Sequence, residues 1–63
     1  MKFRIDELRR CKNISQIDLS RRSGVSRATI IALENGSKKN TTVDTLLKIA
    51  DALEVEIDDL FTE

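Results

Sequence analysis

The residue types that carry most acid–base and metal chemistry are scarce in this chain. It has no His and a single Cys, so neither a Cys–His pair nor a Ser–His–Asp triad can be assembled. The same scarcity excludes a structural zinc site. Asp58 and Asp59 are adjacent, but they lack the glycine-containing loop of alternating oxygen donors that a calcium site uses. We therefore expect no enzyme activity, no cofactor and no metal, and we interpret the two acids as a solvated face with charges favourable at a helix N-terminus.

The charges are divided unevenly along the chain, although they sum to zero. Residues 1–40 contain ten Lys or Arg and four Asp or Glu, a net charge of +6. Residues 41–63 contain one Lys and seven Asp or Glu, a net charge of −6. A basic part beside an acidic part is a pointer to nucleic-acid binding by one face. The alternative is a chance division of solvated charges.

The length limits what the chain can enclose. Its 63 residues predict a single domain, 1–63, and a chain this short buries only about 60% of the surface that its unfolded form exposes. Substrate pockets of roughly 300–1,000 Å³ would leave little core. No apolar run approaches the ~20 residues that cross a bilayer, and the charged first ten residues do not resemble a secretory signal. We expect a cytoplasmic protein that binds through its surface, with no membrane and no small-molecule ligand as partner.

Apolar spacing and capping residues predict an all-α fold, a compact bundle of five helices. The predicted helices cover about residues 3–11, 16–22 or 16–23, 27–35, 43–53 and 57–61. The expected N-caps are Ser15, Ser26 and Thr42, and the expected helix ends are at Asn13, Gly24 and Gly36.

The same spacing predicts which side chains face inward. The fourth helix carries an apolar stripe made of Val43, Leu46, Leu47, Ala50 and Leu53. Cys11 is expected at or near the core, the alternative being a redox-sensing thiol that nothing beside it supports. Ile17 is a less certain core position.

Two short helices on either side of Gly24-Val25-Ser26 are the most informative pattern. A three-residue turn imposes a large angle between its helices. The first helix can then cross a DNA backbone while the second enters the major groove, which is about 12 Å wide and admits one helix. The sequence therefore predicts a helix-turn-helix from Gln16 to Asn35.

Over about residues 4–61 the chain resembles the Cro/C1-type helix-turn-helix family, the DNA-binding module of many phage and bacterial repressors. The residues that carry the resemblance are Arg9, Ser15-Gln16, Leu19, Gly24-Val25-Ser26, Ile30, Leu33-Glu34-Asn35-Gly36, 45–50 and 53–55. It implies the five-helix bundle of lambda-repressor-like domains. It also implies a sequence-specific transcriptional regulator, a repressor that binds a near-palindromic stretch of double-stranded DNA as a homodimer. The rival interpretation is a protein–protein module, antirepressor-like or antitoxin-like, with weak or no DNA binding.

The resemblance also implies roles for single residues. Phosphate contacts fall on Gln16, Thr29, Asn35, Ser37, Lys38 and Lys39, unless Asn35-Gly36 only ends the helix and the lysines are solvated. Base readout is expected from helical spacing: at 100° per residue, the outer face of the third helix, opposite Ile30 and Leu33, carries Arg27, Ala28, Ile31 and Ala32. Arg27 can bond guanine through two N–H groups, whereas the others offer only methyl contacts. Ile31 could instead be a partly buried flank.

Three further expectations concern packing. By resemblance Arg9 and Glu34 form a buried or half-buried ion pair, the alternative being two separately solvated side chains. Ser20 departs from the family's usual Ala at the crossing of the two motif helices, but it is small enough to fit. The C-terminal end offers more apolar surface than a small bundle can bury, which predicts a dimer interface made of Ile49, Val55, Ile57, Leu60 and Phe61.

Overall fold

Four α-helices make up most of the fold. A computed structural model describes residues 2–37 and 41–62. The order of elements is β1 (Lys2–Phe3), α1 (Ile5–Cys11), α2 (Gln16–Ser23), α3 (Arg27–Asn35), α4 (Val43–Leu53), a 3-10 helix (Ile57–Leu60) and β2 (Phe61–Thr62). Apart from the two-residue strands, the architecture is all-helical. None of the helices in the described ranges is long and apolar enough to cross a membrane.

The N-termini of α2, α3 and α4 are set by the predicted caps. The hydroxyls of Ser15, Ser26 and Thr42 each accept a hydrogen bond from the backbone N–H three residues later, at 3.0, 3.2 and 3.1 Å. Each such cap satisfies an N–H that has no partner inside the helix, and it is worth about 1 kcal/mol. The predicted starts of these three helices are therefore confirmed.

The helix ends are made by residues with left-handed backbone conformation. Gly24 and Gly36 close α2 and α3 with φ of 76° and 81°. Asn13 follows α1 with φ of 58°, as predicted. Glu54 closes α4 with φ of 59°, a conformation that costs a side chain with a Cβ roughly 1–2 kcal/mol. The left-handed conformation of Glu54 was not predicted from the sequence.

One apolar core joins all the helices. α2 packs against α3 and α4, and α4 packs against the 3-10 helix. The buried apolar residues are Phe3, Ile5, Ile14, Leu19, Val25, Ile30, Leu33, Leu46, Ile49, Ala50, Leu53 and Leu60. The two ends of the described chain meet, because β1 pairs antiparallel with β2 and the rings of Phe3 and Phe61 lie 5.6 Å apart.

The prediction of a fifth α-helix over residues 57–61 was wrong in type and length. The segment is a single 3-10 helix of four residues, and Phe61 already belongs to β2. Its start is closed by Asp59, whose carboxylate accepts a hydrogen bond from the Glu56 N–H at 3.1 Å. The first helix begins at Ile5 and not at residue 3 as predicted, because Phe3 pairs with Phe61 in the two-stranded sheet.

The predicted stripe of α4 was partly wrong. Val43 and Leu47 are 64% and 49% exposed, whereas Ile49 is fully buried. The inward residues are Leu46, Ile49, Ala50 and Leu53, which recur at i, i+3, i+4 and i+7 and so also form a helical stripe. The packing of α2 and the 3-10 helix against α4 selects this second face.

Cys11 is exposed, so the expectation that it lies at the core was wrong. At 100° per residue, Cys11 is rotated about 120° from Ile5, which carries the buried face of α1. Ile17, left uncertain, is 48% exposed.

The strained end of α4 gives a stability prediction. We expect Glu54→Gly to raise the free energy of unfolding by about 0.5–1 kcal/mol. Gly adopts positive φ without the Cβ penalty, and that penalty exceeds the conformational entropy that Gly adds to the unfolded chain. For a domain of this size the melting temperature should rise by a few degrees. Urea and thermal unfolding followed by circular dichroism measure the two quantities.

Asp51→Gly is the matched control for Glu54→Gly. It also removes one exposed acid from α4, but at a position with ordinary helical φ, so it should lower stability by a few tenths of a kcal/mol. Equal destabilisation by both variants would contradict the proposed strain at Glu54.

Candidate nucleic-acid interface

The turn between α2 and α3 is fixed by two serine side chains of α2. The Ser20 hydroxyl donates to the Val25 carbonyl at 2.7 Å, and the Val25 N–H donates to the Ser23 hydroxyl at 3.1 Å. Both backbone polar groups of Val25 are thus satisfied while its side chain is buried. Ser20 therefore does more than fit where an Ala is usual. The part played by Ser23 was missed, and only its place two residues before Val25 could have indicated it.

The third helix has one buried face and one outward face. Ile30 and Leu33 are buried in the core, whereas Arg27 and Ala28 are exposed. Arg27 is the first residue of α3, and it forms no ion pair with another of the described residues. Its guanidinium is therefore available to a ligand on the outer side of the helix.

Three other residues assigned to DNA contact on α3 are less exposed. Ile31 and Ala32 are half-buried, so the alternative of a partly buried flank describes the position of Ile31. Thr29 is also half-buried, and its hydroxyl accepts a hydrogen bond from Ser26 at 2.9 Å. These side chains border the outward face rather than form its centre.

Arg9, Glu34 and Gln16 are brought together at one end of the motif. Arg9 Nε donates to Glu34 Oε2 at 2.9 Å and Arg9 Nη2 donates to Glu34 Oε1 at 3.3 Å, with the two side chains only 12% and 9% exposed. Arg9 Nη1 also donates to the Ile14 carbonyl at 3.1 Å. Gln16 Nε2 donates to Glu34 Oε1 at 3.0 Å, a bond that the sequence analysis did not foresee.

This network places the two predicted phosphate-binding regions side by side. Gln16 opens α2, and Asn35 directly follows Glu34 at the end of α3. The Asn35 side-chain oxygen accepts a hydrogen bond from the Ser37 N–H at 2.8 Å, and the Ser37 hydroxyl donates to the Ala32 carbonyl at 3.4 Å. Lys38 and Lys39, predicted phosphate contacts, lie outside the described residues.

The predicted dimer interface needs correction at two positions. Ile49 and Leu60 are fully buried inside the chain, so neither can contact a second copy. The reason is that the 3-10 helix folds back on α4 and places Leu60 in the core. The other three predicted residues, Val55, Ile57 and Phe61, are partly buried against that core.

Comparison with known proteins agrees with this geometry. A family model described as helix-turn-helix matches residues 5–60. An uncharacterized HTH-type transcriptional regulator of Methanocaldococcus jannaschii is 41% identical over 61 residues, which cover 97% of this chain and 91% of that protein. Another, from Archaeoglobus fulgidus, is 41% identical over 61 residues, covering 97% and 84% respectively.

A solved structure is also similar. The restriction-modification controller protein C.AhdI from Aeromonas hydrophila superimposes with a TM-score of 0.85 at 38% identity, covering 92% of this chain and 86% of that one. The family match spans nearly all of the described residues, and the relatives named as regulators align over almost their whole length. The chain therefore belongs to the Cro/C1-type helix-turn-helix family of DNA-binding transcriptional regulators.

Proposed function

We propose that this protein is a repressor that binds a near-palindromic operator as a dimer, with α3 of each subunit in the major groove. The observation that carries the proposal is the exposed outer face of α3, led by Arg27, on a helix whose opposite face is held in the core by Ile30 and Leu33. The curated relatives are transcriptional regulators and the similar solved structure is a controller protein, which supports the same class of activity.

Sequence reading in this proposal depends on Arg27. A guanidinium can bond the O6 and N7 atoms of one guanine together, which is worth about 1–3 kcal/mol of discrimination against another base. Ala28 is exposed, and Ile31 and Ala32 border the same face, so they supply methyl contacts to thymine. Only one of these four residues can therefore form hydrogen bonds with bases through its side chain.

Phosphate contacts position the helix without reading sequence. We assign them to Gln16 at one edge of the groove, to Asn35 at the end of α3, and to Ser37, Lys38 and Lys39 after that helix. Thr29 adds a hydroxyl at the margin of the reading face. Where Lys side chains neutralise phosphates, they release counterions from the DNA. The affinity should therefore fall steeply as the salt concentration rises.

The dimer proposed here uses a revised apolar surface. Val43 and Leu47 are the two large apolar side chains of α4 that remain exposed, and α4 packs against the 3-10 helix that carries Ile57. We therefore assign the interface to Val43, Leu47, Val55, Ile57 and Phe61. Two subunits related by a two-fold axis would present their α3 helices to half-sites about 34–36 Å apart.

The roles of Arg27 and Gln16 can be separated by mutation. Selection from a random duplex pool first yields a preferred site. Arg27→Ala should then weaken binding to that site by roughly 5- to 150-fold and weaken binding to a scrambled duplex little, because it removes a base contact. Gln16→Ala should weaken binding to both duplexes by a similar factor, because it removes a phosphate contact. Fluorescence anisotropy titrations at fixed salt measure all four affinities.

Arg10→Ala controls for the lost positive charge, because Arg10 is exposed on α1 and does not belong to the helix-turn-helix, residues 16–35. Arg10→Ala should leave the affinities for the preferred duplex and for the scrambled duplex close to those of the wild type. If Arg27→Ala and Gln16→Ala both bind like the wild type on both duplexes, the assignment is rejected. A wild-type protein that fails to shift a random duplex at low salt would favour the rival protein–protein module, for which the methyl-rich outer face of α3 is the supporting observation.

The dimer surface has its own test. Leu47→Glu should convert a dimer to a monomer in sedimentation equilibrium, because it places two carboxylates in an apolar contact. Ile17→Glu is the matched control, since Ile17 is 48% exposed against 49% for Leu47 but lies on α2. A wild-type protein that stays monomeric, or dissociation by Ile17→Glu as well, would exclude the interface proposed here.

A further inference from the structure

The bond between Gln16 and Glu34 is not needed to pair the charges of the domain. Glu34 already receives two hydrogen bonds from Arg9, at 2.9 and 3.3 Å, and these bonds link α1 to α3 without any contribution from Gln16. The amide of Gln16 adds a third, at 3.0 Å, to the same Oε1 atom that accepts from Arg9 Nη2. A residue assigned to phosphate contact is thus held by a buried carboxylate.

We propose that Glu34 is a positioning residue for phosphate binding, acting through the side-chain amide of Gln16, while Arg9 balances the charge of Glu34. The inference rests on the proposed function, because it requires Gln16 to contact a phosphate. It assigns to the ion pair a part in DNA binding that lies beyond joining two helices.

The donors and acceptors of the three groups determine which end of the Gln16 amide faces Glu34. An ionised carboxylate only accepts hydrogen bonds, so Gln16 must turn its NH2 group, and not its carbonyl, toward Glu34. That NH2 group has two hydrogens, and Glu34 takes one of them. The second is left for another acceptor, and a phosphate oxygen is also an acceptor only. Without Glu34 the amide could rotate and present its carbonyl oxygen, which a phosphate repels.

The bond to Glu34 also orders the Gln16 side chain before DNA binds. A free glutamine side chain has many rotamers, and fixing it upon binding lowers affinity. In this protein the fixing is done before DNA arrives, because the amide is already bonded within the folded domain. Arg9 extends the constraint to the backbone, since its Nη1 donates to the Ile14 carbonyl two residues before Gln16.

Arg9 keeps the charge of Glu34 from opposing DNA binding. A bare carboxylate next to the phosphate site would repel DNA, and the Glu34 side chain is too buried, at 9% exposure, for water to screen it well. The two-pronged bond from Arg9 leaves the pair neutral. Glu34 can therefore orient the amide without opposing the ligand that the amide binds.

A double-mutant cycle tests the proposal on a random-sequence duplex at low salt. In the wild type we expect Gln16→Ala to reduce affinity by roughly 10-fold, the order expected for a hydrogen bond to a charged group. In a Glu34→Gln background the same change should reduce affinity less than about 2-fold. The neutral amide introduced there both donates and accepts, so it can bond either end of the Gln16 amide and no longer sets its orientation. Urea unfolding of each variant establishes that it is folded.

A second background covers the case in which Glu34→Gln unfolds by leaving Arg9 unpaired. Replacing both partners, as Arg9→Met with Glu34→Leu, removes the ion pair without stranding a charge, an exchange that other proteins often tolerate. Gln16 then has no orienting partner, so Gln16→Ala should again reduce affinity less than about 2-fold.

The outcomes separate the two proposals. If Gln16→Ala costs the same factor in all backgrounds, Glu34 serves only to hold helices together and the positioning role is overturned. If the wild type binds DNA but Gln16→Ala costs nothing, the role is overturned because Gln16 makes no phosphate contact. If the wild type binds no duplex, it is the proposed function that fails. A merely structural role would lower stability but leave the ratio for Gln16→Ala unchanged.

Discussion

The largely buried carboxylate of Glu34 is the constraint to which three helices conform. A charge so little exposed is costly unless it is paired and hydrogen-bonded, and here its bonds come from Arg9 on α1 and Gln16 on α2, while Glu34 itself lies on α3. A pair of this kind is weak evidence for stability, because two apolar residues of the same volume could be as favourable. It does restrict geometry, since a shift of any one helix would leave the carboxylate without a partner. The ion pair therefore specifies how the motif sits on the rest of the fold.

The same demand for partners shapes the turn of the motif. Burying the Val25 side chain brings its backbone N–H and carbonyl into the interior, where Ser23 and Ser20 bond them. A small apolar residue at position 20 would fill the crossing equally well but would leave the Val25 carbonyl without this donor. Among the described residues, no buried side-chain nitrogen or oxygen lacks a hydrogen-bond partner. These hydrogen bonds, together with the left-handed backbone of Gly24, fix the angle between α2 and α3. That angle determines where α3 places Arg27.

What the sequence predicts well is local. The starts of α2, α3 and α4 follow from hydroxyl caps, and the ends of α2 and α3 follow from positive φ at glycine; each involves residues no more than a few positions apart. The face of α4 is not local: stripes beginning at Val43 and at Leu46 both have helical period, and only the packing of α2 and the 3-10 helix decides between them. The packing of the 3-10 helix on α4 is not local either, and for this reason Ile49 and Leu60 were wrongly assigned to a dimer surface. The bond between Gln16 and Glu34 required the crossing of α2 and α3, which the turn indicates without giving the distances.

The composition of the reading face explains why the motif should operate in pairs. One guanidinium and three apolar side chains can distinguish few base pairs, and a single good two-pronged contact discriminates by only about 1–3 kcal/mol. A genome offers roughly 10⁶–10⁹ competing sites, against which one such contact gives little selectivity. Two subunits on one operator add their binding free energies, so their discrimination ratios multiply. In the proposed dimer, binding to DNA and to a second copy would also stabilise a domain of 63 residues by mass action, since both would bind the folded state. Dimerisation would therefore serve specificity and folding through the same contact.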